Sequence, residues 1–198
     1  MKAITFAPLL RTLALVFLAG LVATGCKKKK EVVEAAPEGE VLINEYCAGP
    51  EYFSNEEFFR SNGLGESMDQ ATARRRAMSN ARADLAASIN TLVKGTVDNY
   101  VNSREFNNRE EIQERYESLT REVINQELNG VKTICQKAVR VTANGNYKYY
   151  VALELSGQEL LGSMNSRLSQ DERLRIDYDY EQFKKTFEQE MENFGRRN

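Results

Sequence analysis

Residues 139–156, VRVTANGNYKYYVALELS, decide how the rest of the chain is read. Asn144-Gly145 is a strong short-range hairpin signal, because a tight turn between strands needs backbone that glycine and asparagine adopt readily. After it, Tyr147, Tyr149, Val151, Leu153 and Leu155 alternate with Lys148, Tyr150, Ala152 and Glu154, the period of two that gives a strand one buried face. The residues before it, from Val131 to Thr142, are also rich in strand formers. Residues 131–156 are therefore expected to form an antiparallel hairpin. Tyr147, Tyr149 and Tyr150 would either show an aromatic patch or cover a core.

Upstream of the hairpin the period lengthens. Ala77, Ala81, Leu85, Ile89, Leu92, Val93, Val97, Tyr100 and Val101, with Ala71 and Met78, repeat in steps of three and four. This predicts one long helix, opened by a capping box at Ser67-Met68-Asp69-Gln70 and ending near Tyr100. Its first half is lined by alanine, so a neighbour can approach closely. Arg74, Arg75, Arg76 and Arg82 decorate that half, as a solvated face or an anion site. A second helix is expected over about Asn108 to Leu128, stopped by Asn129-Gly130 and striped by Ile112, Tyr116, Leu119, Val123 and Leu128. Before the long helix, Glu51 to Ser67 is aromatic and then glycine-punctuated; Gly63 and Gly65 suggest an edge strand or a bulge.

Downstream, Ser156 opens a helix with Leu160, Leu161, Met164 and Leu168 on one side. A last helix is expected from about Asp171 to Phe194, with Ile176, Tyr180, Phe183, Phe187, Met191 and Phe194 in register. Such an aromatic stripe must be covered. The cover is either its own domain or another protein, which makes Tyr180, Phe183, Phe187 and Phe194 interface candidates.

The N-terminus reads as an address. Lys2 and Arg11 precede an apolar run, Thr12 to Val22, which is too short to span a bilayer. Ala23-Thr24-Gly25-Cys26 follows and resembles a bacterial lipobox, with Ala23 where leucine is usual. Two outcomes follow from it: cleavage before Cys26 and acylation of that cysteine, or an ordinary signal cut that leaves a thiol. Acyl chains on Cys26 would anchor the protein, since each buried CH₂ contributes about 0.8 kcal/mol. Lys27 to Lys30 come next, either meeting anionic headgroups or serving as a solvated spacer. The expected organisation is a signal over 1–25, a lipidated, flexible, charged linker over 26–46, a domain over 47–168 and an amphipathic helix over 169–198.

Setting Cys26 aside leaves Cys47 and Cys135. In an exported protein an even remainder invites a disulfide, worth about 4 kcal/mol in the chain-entropy model, although a buried free thiol at Cys135 fits the strand equally well.

The 198 residues are 41% apolar and 28% charged, an ordinary globular balance, and the net charge of −2 gives no pull towards nucleic acid. The chain has no histidine, which excludes Ser-His-Asp and Cys-His catalysis and histidine-ligated metals. The cysteines lack metal-ligand spacing. Asp177 with Asp179, and Glu110 with Glu111, are adjacent charges in wet segments, so no catalytic residue, metal site or cofactor is expected.

Taken together, the lipobox-like start, "CAGPEYF" (47–53), "GLGES" (63–67), "ATARRRAMSNARADLAASI" (71–89) and "YKYYVALELS" (147–156) resemble the bacterial lipoprotein family named for the twenty-kilodalton outer-membrane antigen of Helicobacter. Related domains occur in periplasmic proteins around the flagellar outer rings. The resemblance covers about residues 47–160; "PEYF" departs from the tryptophan often found there. It implies an α+β domain, a long helix packed on a small antiparallel sheet, in an outer-membrane-anchored envelope lipoprotein without an established enzymatic reaction. Its partners would be the membrane, through the lipid, and an envelope protein or a second copy. The alternative is a ligand-binding lipoprotein using a cleft between helix and sheet, with Tyr147, Tyr149 and the arginines as its polar groups.

Overall fold

The computed structural model describes residues 39–41 and 43–197. Cys26, the expected signal segment and Lys27 to Lys30 lie outside them. The chain divides into two compact units, Met1–Leu42 and Ile43–Asn198, and the second carries the fold described below.

This unit is α+β. A 3-10 turn over Pro50–Tyr52 leads to strand β1 (Phe58–Ser67), helix α1 (Gln70–Asn102) and helix α2 (Arg109–Glu127). The hairpin strands β2 (Lys132–Arg140) and β3 (Tyr147–Ser156) follow, then helices α3 (Gly157–Ser169) and α4 (Tyr180–Arg197). The sheet is antiparallel throughout, in the order β1-β3-β2.

The hairpin forms where the alternation placed it, but its turn is longer than the Asn-Gly signal suggests. Val141 N donates to Asn146 O at 2.7 Å and Gly145 N to Val141 O at 2.8 Å, which encloses a four-residue loop. Gly145, at φ +74°, supplies the left-handed backbone that closes it.

Tyr149, Val151, Leu153 and Leu155 share the inner face of β3 and are buried there. Their partners across the ladder are Gly65, Gly63, Ser61 and Phe59. The two glycines are not a bulge: pairing with β3 runs unbroken past both. The irregularity lies in β2 instead, between Thr133 and Cys135. What the glycines do is admit α1. A Cβ on Gly63 would stand 2.5 Å from Ala77 O and 2.8 Å from Ala81 N, and one on Gly65 would run into Ala73 O. Ala73, Ala77 and Ala81 present only a methyl in return and are fully buried. The inward row of α1 thus starts at Ala73, not at the exposed Ala71. Ser61 Oγ donates to Ala81 O at 2.7 Å, and Asn80 Nδ2 donates to Leu64 O at 2.9 Å, tying helix to strand.

The cap of α1 also differs from the expected box. β1 continues through Ser67, so Asp69 becomes the N-cap and accepts from Thr72 N at 2.8 Å, while Ser67 Oγ accepts from Asp69 N.

A helix of 33 residues rises about 50 Å, against about 33 Å for a ten-residue strand. The C-terminal part of α1 overruns the sheet, and α2 and α4 cover it. Tyr100, Tyr116, Tyr178 and Phe183 meet there, with ring centroids 5.3 to 6.4 Å apart. Burial pushes the Tyr116 and Tyr178 phenols well above their ordinary range.

The last helix starts at Tyr180 rather than Asp171. Residues 171–179 instead fold back on Asp171. Its carboxylate accepts from Arg115 Nη2 at 2.5 Å and Nε at 3.0 Å, and from the backbone N–H of Arg173 and Leu174. The last two cap a short stretch of turns, in which Arg175 N donates to Asp171 O at 2.9 Å and Tyr178 N to Leu174 O at 2.8 Å. Asp179 then begins α4, accepting from Gln182 N, while its own N–H donates to the Tyr100 hydroxyl at 2.9 Å. Ile176 falls outside the aromatic row and is 82% exposed. The expected boundary between 168 and 169 is absent, because α4 shares the core of the sheet domain.

The Arg115 guanidinium, first among several donors, holds the Asp171 carboxyl below the usual carboxylate range. A group with a depressed folded pKa stabilises above its unfolded value, about 3.9, and loses that contribution as pH falls through the folded value. Asp171→Asn is therefore expected to cost about 2 kcal/mol at neutral pH. The gap between wild type and variant should narrow steadily below about pH 4. Urea unfolding at a series of pH values measures both.

Candidate functional site

The structure places the sequence-predicted residues very differently from one another. Cys47 and Cys135 are joined by a disulfide, with Cα atoms 5.6 Å apart across 88 residues of sequence. The register explains the meeting. Cys135 pairs with Ala152, so its side chain lies on the outer face of the sheet, opposite α1. The segment that precedes β1 crosses this face. There the Tyr46 ring meets that of Tyr150 edge-on at 5.5 Å. Cys47 is 5% exposed and adopts φ 60°, a left-handed conformation that costs a non-glycine residue about 1 kcal/mol or more. The bridge and the Tyr46–Tyr150 contact hold it there. Farther on, Ser54 Oγ donates to Arg60 O and accepts from Arg60 N at 2.9 and 2.8 Å. The Arg60 side chain lies on Glu154 at 2.8 Å. The segment before β1 is thus sewn to both edge strands, covalently at β2 and by hydrogen bonds at β1.

The aromatic stripe is not a free interface. Phe183 and Phe187 are buried in the domain's own core, and Phe194 packs against Phe59 at 5.5 Å. Tyr180 is half-buried at the start of α4. Of the four interface candidates, Phe183 and Phe187 are corrected to core residues; the overhang of α1 beyond the sheet leaves an apolar surface that they fill.

Between α1 and the inner face of the sheet the glycine-alanine contact leaves no gap at Gly63 and Gly65. A pocket of about 410 Å³ lies beside that seam, lined by Tyr46, Asn62, Leu64, Asn80, Asp84 and Tyr150 among others, and it includes neither Tyr147, Tyr149 nor the helix arginines. Tyr149 is 8% exposed, its hydroxyl donates to Gln136 Oε1 at 2.8 Å and the Arg74 guanidinium lies 6.0 Å from its ring. Tyr147 lies beneath Arg140 at 5.9 Å. Arg76 donates to Glu66 O at 2.6 Å and Arg75 to Thr72 Oγ1 at 2.9 Å, so two of the four helix arginines serve local structure.

Of the four carboxylates considered for acid-base work, Asp179 and Glu111 have structural partners. Asp179 caps α4 and meets Arg104 at 3.3 Å; Glu111 meets Arg173 at 3.0 Å. Among the described residues no group of three or more histidine, cysteine, aspartate or glutamate side chains is placed to hold a metal ion. Among the same residues no helix is long and apolar enough to cross a membrane.

Sequence reasoning missed the Asp171–Arg115 staple and the Tyr46–Tyr150 contact. Both link residues far apart in the chain, and neither leaves a local period or motif. It also missed a groove between β1, the start of α3 and α4, lined by Glu56, Glu57, Phe58, Met191 and other residues. No family model, curated protein or solved structure matches the chain.

Proposed function

We propose that this protein is an outer-membrane lipoprotein of the bacterial cell envelope, held by acyl chains on Cys26, that acts as a non-catalytic interaction module. The observation that carries the reading is the Cys47–Cys135 disulfide. Structural disulfides persist in oxidising compartments outside the cytosol, which is where a lipobox-like signal would deliver the chain. The attachment of the 43–57 segment to both sheet edges supports the same reading, because a tethered domain needs a firm joint at the tether's end. Membership of the lipoprotein family whose motifs it resembles is part of this proposal. The partner is an envelope protein or a second copy of the chain.

In-cell crosslinking followed by mass spectrometry tests the module. The expected product is a discrete crosslinked species containing an envelope protein or a second copy. Recovery of monomer alone, or of cytosolic proteins only, contradicts it.

A further inference from the structure

The groove between β1, α3 and α4 has a volume of about 460 Å³ and joins an apolar floor to charge of one sign. Phe58 and the nearly buried Met191 contribute to the floor, with the Arg60 guanidinium 5.1 Å from the Phe58 ring, and Glu56, Glu57, Glu188 and Glu192 line it. All four carboxylates are on exposed residues. Glu188 and Glu192 have neighbours on their own helix, Lys184 at 3.9 Å and Arg196 at 3.3 Å. Exposed pairs of this kind contribute little and exchange readily.

The start of α3 also opens here, and helix N-termini ordinarily favour anions. In this one two of the first three donors are already used. Gly157 N donates to Glu57 O at 2.9 Å, and Glu159 N donates to the Ser156 hydroxyl. Charge selection at the groove is therefore left to the carboxylates.

We infer that this groove docks a basic peptide segment of a partner protein. A lysine or arginine side chain suits both parts of it: the methylene stem packs along the apolar floor beside Phe58, and the cationic head reaches the surrounding carboxylates. The inference deepens the reading of the domain as an interaction module by naming the partner's chemistry. It does not depend on the lipid, so failure of peptide binding and failure of Cys26 acylation are separate results.

Fluorescence polarisation on the detergent-solubilised full chain tests it. The probe is a labelled ten-residue peptide alternating lysine and leucine, compared with its glutamate-leucine counterpart and with spermidine. The lysine peptide is expected to bind saturably, one per chain, and more weakly as salt rises. Glu56→Gln with Glu57→Gln should weaken it at least fivefold while leaving the circular dichroism spectrum unchanged. Glu110→Gln with Glu114→Gln, an equal charge change elsewhere on the surface, should leave binding within twofold. Absent or non-saturable binding overturns the inference, as does equal weakening by the two double variants. Spermidine binding as tightly as the peptide assigns the groove to small amines and overturns it too.

Discussion

Replacing both bridged cysteines, Cys47→Ala with Cys135→Ala, lowers the thermal midpoint by about 10 °C or more. The bridge closes an 88-residue span that contains β1, α1 and α2. In the chain-entropy model, cross-linking that span removes about 4 to 5 kcal/mol of freedom from the unfolded chain. For a domain of this size each kcal/mol moves the midpoint by about 2 to 4 °C. Release of the left-handed strain at Cys47, about 1 kcal/mol or more, offsets only part of that loss. Calorimetry of the double variant and of the wild type measures the shift. A drop under about 3 °C would show that the bridge does not secure the joint to the sheet.

The second large effect comes from a single methyl group. Gly65→Ala is expected to destabilise by about 3 kcal/mol, the upper end for overpacking, because what the new Cβ meets is the α1 backbone at Ala73 O and Ala77 N. No rotamer change can relieve that contact. The helix must move, and the alanine row would lose its fit along β1. Gly162→Ala, in the interior of α3 with nothing within 4 Å of the added group, should instead stabilise by about 0.5 to 1 kcal/mol through helix propensity. Urea unfolding of both variants gives the two signs. Equal stability of Gly65→Ala and wild type would contradict the close helix-sheet approach on which the fold rests.

How legible each element was depended on whether its period survived in the sequence. The hairpin and α1 were readable because one buried face imposes a period of two on β3 and of three to four on α1. β1 was harder, and the glycines explain why. Its inward row is Phe59, Ser61, Gly63 and Gly65, so three of the four positions facing the core carry little or no apolar side chain. The burial there is supplied by alanines on another element. The end of the chain misled for a different reason. Ile176 continues the spacing of Tyr180, Phe183, Phe187 and Met191, yet Asp179 caps a new helix that begins only at Tyr180, and the turns before it leave Ile176 exposed. Of the site, cysteine parity raised the bridge as an option. The meeting of Cys47 with Cys135 depends on the bulge and register of β2, which no local pattern encodes. The groove is assembled from three separated stretches and left no trace in any one of them.

The reading of the protein as a lipid-held envelope module rests on Cys26. Cells grown with an alkyne analogue of palmitate should label the wild-type chain, which should sediment with the membrane fraction. Cys26→Ser should abolish the label and release the chain from that fraction, with the Cys47–Cys135 bridge intact. Label retained in Cys26→Ser, or absent from the wild type, would contradict the account.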